Sequence, residues 1–297
     1  MARAPDSAAT VPAPFVVGVA RSGTTLLRLM LDAHPDLAIP PETHFAPRLI
    51  KLVEGGSGPG DVAAFLAGHP RWGDFGLDDV ELGRRLARLD PFDAGGALRA
   101  FYSLYAEGQG KPRWGDKSPP YVNRMARIQR ALPEARFVHV IRDGRDVALS
   151  LASVSWGPGG AAEVAEKWVE EIGKARRQAA RKLEPGSYHE VHYEELVADP
   201  ASVLQEVAAT IELDWDPAML AYHERAGERM SEVERDFTPG GGDVISAAER
   251  AGQHALVHEP PTSDRVGRWR DAMSAADREA FEAVAGELLS ELGYPLG

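Results

Sequence analysis

The sequence of 297 residues contains no cysteine. Without thiols there are no disulfides, thiolate metal sites or cysteine nucleophiles, so any catalysis must use oxygen or nitrogen groups. Positive charge is also scarce, because 33 lysines and arginines stand against 45 aspartates and glutamates, giving a formal net charge of −12. Proteins that bind nucleic acids generally need a basic surface, so we expect no nucleic-acid partner.

Long apolar runs are missing too. No stretch approaches the roughly 20 apolar residues of a membrane-spanning helix, and residues 1–13 have no apolar core like that of a secretory signal. We therefore expect no membrane span and a cytoplasmic protein whose residues 1–13 form a disordered tail. Residues 14–297 are predicted to form one domain with a helical, substrate-side insertion at about 51–109. No heptad pattern indicates a partner surface, which leaves a homo-oligomer open.

The most informative segment, residues 14–25, predicts a buried strand that runs into a phosphate-binding loop. Gly18 and Gly23 keep the spacing of a nucleotide triphosphatase loop, but Thr24 occupies the position of the lysine that would reach the outer phosphates. A triphosphate is therefore not the expected ligand. Converging N–H groups and the start of a helix still favour one phosphate there. The predicted donors are Arg21, Ser22, Gly23, Thr24 and Thr25.

Two further strands are predicted at Arg136–Ile141 and Tyr188–Tyr193, with helical patterns between and after them. The helices are predicted at Leu26–Asp32, Tyr121–Leu132, Val147–Ser153, Ala161–Lys182 and Ala275–Leu292, with a helical excursion at Val80–Glu107. Alternation of strand and helix indicates an α/β fold of the P-loop type, in which three α/β/α layers enclose a central parallel sheet. Ligands of such sheets bind beyond the carboxyl ends of the strands.

A second anion site is predicted after the strand that ends at Ile141. Arg142 offers a planar fork for phosphate, and Ser150 on the following helix adds a hydroxyl. The alternative is a salt-bridge cluster in which Arg142 and Arg145 pair with Asp143 and Asp146. Arg142 also stands first in the loop, where a triphosphatase would need an aspartate for magnesium. Two phosphate sites without a magnesium ligand suggest a nucleotide phosphorylated at two positions.

We predict no metal site. His189 and His192 are three residues apart on a predicted strand, so their side chains point to opposite faces.

These motifs resemble those of the sulfotransferases that use 3′-phosphoadenosine-5′-phosphosulfate (PAPS). Residues 18–25 look like the family's 5′-phosphosulfate loop, and residues 142–146 with Ser150 look like its 3′-phosphate site. Residues 26–35 and 42–48 are similar to the tyrosylprotein sulfotransferase branch and its bacterial relatives. Further matching blocks lie at residues 114–119, 193–200 and 266–270.

The resemblance implies a role for several residues. Glu42 would be the general base, while Lys117 and Arg21 would stabilise charge on the departing phosphate. Tyr193 and Arg268 would join the cofactor-binding residues named above. Several alternatives remain open: His44 as the base, Glu42 as a helix N-terminal carboxylate, Asp116 as the partner of Lys117, and Arg265 or Arg270 in place of Arg268. Trp269 is expected to anchor its loop.

The implied reaction is sulfuryl transfer from PAPS to a hydroxyl or phenol. A small-molecule acceptor is expected rather than a peptide, with residues 51–109 shaping its pocket and Glu42 and His44 contacting it. Residues 238–242 are predicted to be a lid or a surface loop. Two other functions remain: a magnesium-dependent P-loop kinase acting on a small molecule, and a non-catalytic module that binds 3′-phosphoadenosine-5′-phosphate (PAP). Separation of Glu42 from Lys117 would favour the module.

Overall fold

The structure is a computed structural model that describes residues 11–154, 159–232, 236, 246 and 255–297. The predicted lid at residues 238–242 and most of the predicted tail lie outside these ranges. The division into a tail and one domain stays a prediction.

The central sheet consists of four parallel strands in the order β4-β1-β5-β6. Their bounds are β1 (Ala13–Gly18), β4 (Asp116–Lys117), β5 (Ala135–Ile141) and β6 (Tyr188–His192). A separate parallel pair is formed by β2 (Leu37–Ala38) and β3 (Arg113–Trp114). All six residues of β1 are buried, as expected for a strand covered on both faces.

The helices surround this sheet. They are α1 (Thr24–Asp32), α2 (Ala46–Glu54), α3 (Pro59–Ala67), α4 (Asp79–Ala87), α5 (Ala94–Gly108), α6 (Met125–Ala131), α7 (Gly144–Leu151), α8 (Ala161–Lys182), α9 (Tyr193–Ala198), α10 (Pro200–Thr210), α11 (His223–Ser231), α12 (Trp269–Ala272) and α13 (Ala275–Glu291). Short 3₁₀ helices occupy Trp72–Asp74, Pro119–Asn123, Pro217–Met219, Ala255–His258 and Ser263–Arg265.

Alternating strand residues separate two hydrophobic cores. Phe15 and Val17 point into a core shared with α2 to α6, whereas Val16 points into a core shared with α1, α9 and α10. The alternation follows from the two-residue period of a strand. A third core joins α7, α8 and α13. The predicted class, an α/β fold with a central parallel sheet flanked by helices, is confirmed.

Most predicted elements are present, with three differences. Tyr193 begins α9 rather than ending β6. The helix expected from Tyr121 starts with a 3₁₀ turn at Pro119 and becomes α-helical only at Met125. The excursion at 80–107 is divided into α4 and α5 at residues 88–93, which contain Pro91.

Candidate active site

The loop between β1 and α1 has the geometry of a candidate anion-binding loop. Gly23 has φ +96°, a left-handed conformation, and a Cβ at this position would collide with the ring of Tyr193. Glycine is therefore required by both conformation and space. Helix α1 begins at Thr24 without a side-chain cap. Its first N–H groups are consequently free to bind a ligand, and the positive end of the helix dipole favours negative charge.

Two polar atoms in this region also lack a protein partner. Ser22 Oγ and Arg142 Nε are buried and form no hydrogen bond within the described part of the chain. A buried polar atom without a partner is costly, and a ligand with two phosphate groups would accept hydrogen bonds from both donors. The residues present therefore fit a phosphorylated ligand.

The second predicted loop lies against the first. Arg142 Nη1 donates to the carbonyl oxygen of Arg21 at 3.2 Å, and Arg21 Nε donates to Ser150 Oγ at 3.0 Å. The guanidinium of Arg142 lies 4.6 Å from the centroid of the Tyr193 ring. Burial lowers the pKa of Arg21, as do the neighbouring charges of Arg142 and Arg265. Positive charge is thus concentrated where the sequence predicted phosphate binding.

The predicted salt-bridge alternative holds for Arg145 but not for Arg142. Arg145 is fully buried and pairs with Asp143 at 2.8 Å and with Glu282 at 2.6 Å. Asp146 accepts the backbone N–H groups of Gly267 and Trp269. Arg142 instead donates to backbone carbonyl oxygens. The two arginines of residues 142–146 therefore have different roles. Arg145 holds this loop in place through its ion pairs, and Arg142 faces the candidate anion site.

The late loop contributes through Arg265 more clearly than through Arg268. The Arg265 carbonyl oxygen accepts a 2.6 Å hydrogen bond from Arg142. The positive charge of the Arg265 side chain acts to lower the pKa of both Arg21 and Tyr193. Arg265 and Arg268 are both exposed, and the role of Arg268 in binding the 3′-phosphate stays a prediction.

Trp269 and Arg270, which follow Arg268 in the chain, pack together. Arg270 lies 4.7 Å from the ring centroid of Trp269. Trp269 is buried beneath Arg145 at 3.5 Å, which is the anchoring position expected for it.

Glu42 and Lys117 meet at the same edge of the sheet. Lys117 Nζ lies 2.6 Å from Glu42 Oε1 and 3.2 Å from Thr25 Oγ1, so the candidate base and the candidate cation adjoin the anion loop. Lys117 ends strand β4, which pairs with β1 and delivers its side chain beside that loop. Glu42 does not cap a helix, because α2 begins four residues later at Ala46. The separation that would favour a non-catalytic module is absent for this pair.

Two more basic side chains surround Glu42. His44 Nε2 is 2.7 Å from Glu42 Oε2, and Arg71 is 3.8 Å from the same oxygen. Burial would raise the pKa of Glu42, but Lys117, His44 and Arg71 together hold it well below its usual range. Burial lowers the pKa of Lys117, and the negative charge of Glu42 offsets part of this decrease. Sequence reasoning missed Arg71, because it lies in the variable helical region outside every recognisable motif.

Asp116 does not pair with Lys117. The two residues are adjacent in β4 and their side chains point to opposite faces. Asp116 Oδ2 accepts hydrogen bonds from Thr43 Oγ1 at 2.6 Å and from Tyr102 at 3.0 Å. Burial raises the pKa of Asp116 to about 6, although the hydrogen bonds oppose this.

A cleft of about 660 Å³ opens beside the candidate base. Its wall includes His44, Pro47, Tyr121 and the first half of α8. The expectation that residues 51–109 shape the acceptor pocket does not describe this cleft, which is lined by residues 44–47, 120–124 and 163–174. The earlier region contributes Arg71 beside Glu42 and Tyr102 beside Asp116.

No group of three or more potential metal ligands occurs among the residues that the structure describes. Metal independence stays a prediction. Within the same ranges, no helix is both long enough and apolar enough to cross a membrane.

The chain belongs to the sulfotransferase family, whose model it matches over residues 12–217. It is similar to protein-tyrosine sulfotransferase 1 of Danio rerio, with 26% identity over 96% of this chain and 72% of that protein. A putative protein-tyrosine sulfotransferase of Caenorhabditis briggsae is 28% identical over 94% of this chain and 88% of its own length. Among solved structures, the sulfotransferase domain of the Synechococcus PCC 7002 olefin synthase aligns with a TM-score of 0.64 and 23% identity, covering 99% of both chains.

These findings confirm one prediction and correct another. The predicted enzyme class, a sulfotransferase that uses PAPS as the sulfuryl donor, is confirmed. The expectation of a small-molecule acceptor rather than a peptide is wrong, because relatives that align with nearly the whole chain are protein-tyrosine sulfotransferases. The prediction had relied on the absence of a secretory signal, which does not determine the chemistry of an acceptor. Cytoplasmic location and homo-oligomer formation stay predictions.

Proposed function

We propose that this protein transfers the sulfuryl group of PAPS to the hydroxyl of a tyrosine side chain in a protein or peptide. The observation that carries the proposal is the contact of Glu42 with Lys117 at 2.6 Å beside the anion loop. A base and a cation at this position are what transfer to a weakly acidic hydroxyl requires.

When bound, the donor supplies a sulfuryl group attached to a phosphate oxygen that can leave. The first N–H groups of α1, with Ser22, Thr24 and Thr25, would hold the 5′-phosphosulfate. Arg142 and Ser150 would hold the 3′-phosphate, with Tyr193 packed beneath Arg142. The buried, unpartnered Ser22 Oγ and Arg142 Nε support this arrangement, because each has a donor to give.

Different catalytic residues act on the acceptor and on the donor. Glu42 accepts the proton of the acceptor hydroxyl as that oxygen forms its bond to sulfur. Lys117 and Arg21 offset the negative charge that grows on the departing phosphate oxygen. His44 is hydrogen-bonded to Glu42 and orients the carboxylate. Because its pKa lies well below the usual range, Glu42 is ionised at neutral pH, which is the state in which a carboxylate can accept a proton.

The cleft beside His44 would admit the acceptor. It leads from the surface of α8 to the residue that contacts the base. A polypeptide segment fits an open groove of this kind, and the named activity of the relatives supports tyrosine as the acceptor residue.

The kinase alternative has little support. Its ligand would require a lysine in the loop, where Thr24 stands, and a magnesium-binding carboxylate after β5. Asp143 follows β5, but its carboxylate is occupied by Arg145.

The test is sulfation of a library of tyrosine peptides with PAPS, followed by mass spectrometry. The expected product carries one added sulfuryl group on tyrosine, and the matched peptides with phenylalanine remain unmodified. Glu42→Gln should abolish the product, whereas Glu206→Gln, an exposed glutamate on α10, should retain it. Modification of free phenols but of no peptide would contradict the proposed acceptor.

A further inference from the structure

Two pairs of sequence neighbours face each other at the site. Glu42 precedes Thr43, and Asp116 precedes Lys117. Glu42 and Lys117 contact each other at 2.6 Å on the side of the cleft, while Thr43 and Asp116 contact each other at 2.6 Å in the interior. The two contacts therefore join the same two chain segments on opposite faces.

We propose that the Thr43–Asp116 hydrogen bond is a positioning clamp that fixes the distance between Glu42 and Lys117. The inference rests on the proposed role of Glu42 as the base. Thr43 and Asp116 do not touch the reacting groups and act through the residues beside them in the chain.

The contacts around Thr43 support a fixing role. The backbone N–H of Thr43 donates to Ser118 Oγ at 3.0 Å. Ser118 directly follows β4, so Thr43 is held by Ser118 as well as by Asp116. Thr43, Asp116 and Ser118 are completely buried. Among the described residues, Asp116 Oδ1 has no hydrogen-bond partner, but Asp116 Oδ2 and the hydroxyl of Thr43 are hydrogen-bonded. Because this network is buried, a displacement of Thr43 breaks hydrogen bonds that water cannot replace.

Tyrosine hydroxyls extend the network in one consistent direction. The N–H of Ala46 donates to the Tyr121 hydroxyl at 2.8 Å, and this hydroxyl lies 2.8 Å from Thr43 Oγ1. Thr43 then donates to Asp116, which also accepts from Tyr102. The first residue of α2 is thereby linked to β4 through a chain of hydroxyl groups.

The need for such a clamp follows from the backbone before α2. His44 has φ +54°, an uncommon conformation for a residue other than glycine. Residues 40–45 contain no helix or strand, so regular backbone hydrogen bonds do not determine where the Glu42 carboxylate lies. The side chain of Thr43 provides the missing constraint.

The main test compares Thr43→Val, which removes only the hydroxyl, with Thr43→Ser, which retains it. Thr210→Val removes a threonine hydroxyl from α10 and is the matched control. Two quantities are measured: kcat with a tyrosine peptide, and the pKa of Glu42 from an NMR titration of its carboxyl carbon. The Glu42 resonance is identified by its loss in Glu42→Gln. PAP binding verifies that each variant is folded.

For Thr43→Val we expect kcat to fall about tenfold or more, since a displaced catalytic group loses alignment. The KM for PAPS should change little. The pKa of Glu42 should rise toward its ordinary value of 4.5, because Lys117 is no longer held against it. Thr43→Ser and Thr210→Val should behave like the wild type.

An unchanged pKa of Glu42 in folded Thr43→Val would overturn the clamp, as would equal damage from Thr43→Ser. Should Thr43→Val not fold, Thr43→Ala, which also removes the hydroxyl that donates to Asp116, gives the same test, and an unchanged pKa of Glu42 in that variant overturns the proposal. Failure of the wild type to modify any tyrosine peptide would instead count against the proposed acceptor. The pKa readout needs no acceptor, so the two failures are distinguishable.

Discussion

The two faces of the β4 segment show how one pair of chain segments can hold two carboxylates in opposite electrostatic conditions. On the cleft face, Glu42 lies among Lys117, His44 and Arg71, and these groups hold its pKa well below the usual range. On the interior face, Asp116 is surrounded by hydroxyl groups, and burial raises its pKa to about 6. Hydroxyls donate hydrogen bonds but do not compensate for the loss of water as a cation does.

The different surroundings of Glu42 and Asp116 distinguish a carboxylate with a catalytic role from one with a structural role. A carboxylate that is surrounded by cations stays ionised and remains ready to accept a proton. A carboxylate that is held by hydroxyls is fixed in place, which suits a residue that positions others. The following predictions test this separation, in order of decreasing effect.

The largest effect is expected for Glu42→Gln. The amide cannot accept the proton of the acceptor, so kcat for a tyrosine peptide should fall by about 10²–10⁴-fold. PAP affinity measured by calorimetry should not fall, because Glu42 is not among the residues that would hold the phosphates. A variant that retains most of its kcat would assign the base to another group, with His44 the first candidate.

Lys117→Met should have the next largest effect. It removes the charge proposed to stabilise the leaving oxygen, and kcat should fall by about 10²–10³-fold. In the same variant without ligand, an NMR titration should show the pKa of Glu42 moving upward, since its strongest cationic partner is lost. Lys182→Met, which alters an exposed lysine at the end of α8 and outside the cleft, is the control. An unaltered pKa of Glu42 would contradict the electrostatic account of the cleft face.

The two carboxylates should also affect stability with opposite dependence on pH. The folded-state pKa of Asp116 is raised from 3.8 to about 6, so the folded protein binds the proton more tightly. The contribution of Asp116 to stability is therefore present below pH 4 and is lost as the pH rises to about 6, by about 3 kcal/mol at most. The depressed pKa of Glu42 works the other way: its contribution is present above pH 4.5 and is lost as the pH falls.

Urea denaturation between pH 4 and pH 7 measures this difference. Between pH 4 and pH 6, the wild type should lose up to about 3 kcal/mol of stability relative to Asp116→Asn, whereas no such relative loss is expected against Glu42→Gln. Parallel curves for the wild type and Asp116→Asn would show that Asp116 does not titrate in this range.

The smallest effect is expected for Tyr102→Phe. This variant removes one hydrogen bond to Asp116 and leaves the Thr43–Asp116 contact intact. The free energy of unfolding should fall by about 1–3 kcal/mol, as for loss of a hydrogen bond to a charged group. We expect kcat to stay near that of the wild type. A large loss of kcat with normal stability would mean that Tyr102 itself takes part in positioning the base.

The sequence was sufficient to predict the strand, the glycine-containing loop and the helix at residues 14–32, because local signals determine them. A buried strand, two glycines at a fixed spacing and a following helix form such a loop wherever they occur. The parallel sheet was predictable for the same reason, since strand and helix patterns alternate along the chain. The start of α9 at Tyr193 could not be predicted, because nothing in the local pattern marks where β6 ends and the helix begins.

The candidate catalytic residues were predictable only in part. Glu42 and Lys117 were identified through motifs, but their contact across 75 positions could not be read from spacing. Arg71 carried no signal at all. The placement of Asp116 was left open, because a strand of two residues is too short for alternation to indicate a face.

The sequence by itself determined the fold class, the strand–loop–helix geometry of residues 14–25 and the residue types available for chemistry, because these depend on local pattern and composition. Tertiary structure alone decided which charges surround Glu42, which face Asp116 occupies and which arginine of the second loop faces the anion site. The physical reason is that a pKa and a hydrogen-bond partner depend on groups within a few ångströms, and the fold brings those groups together from distant parts of the chain.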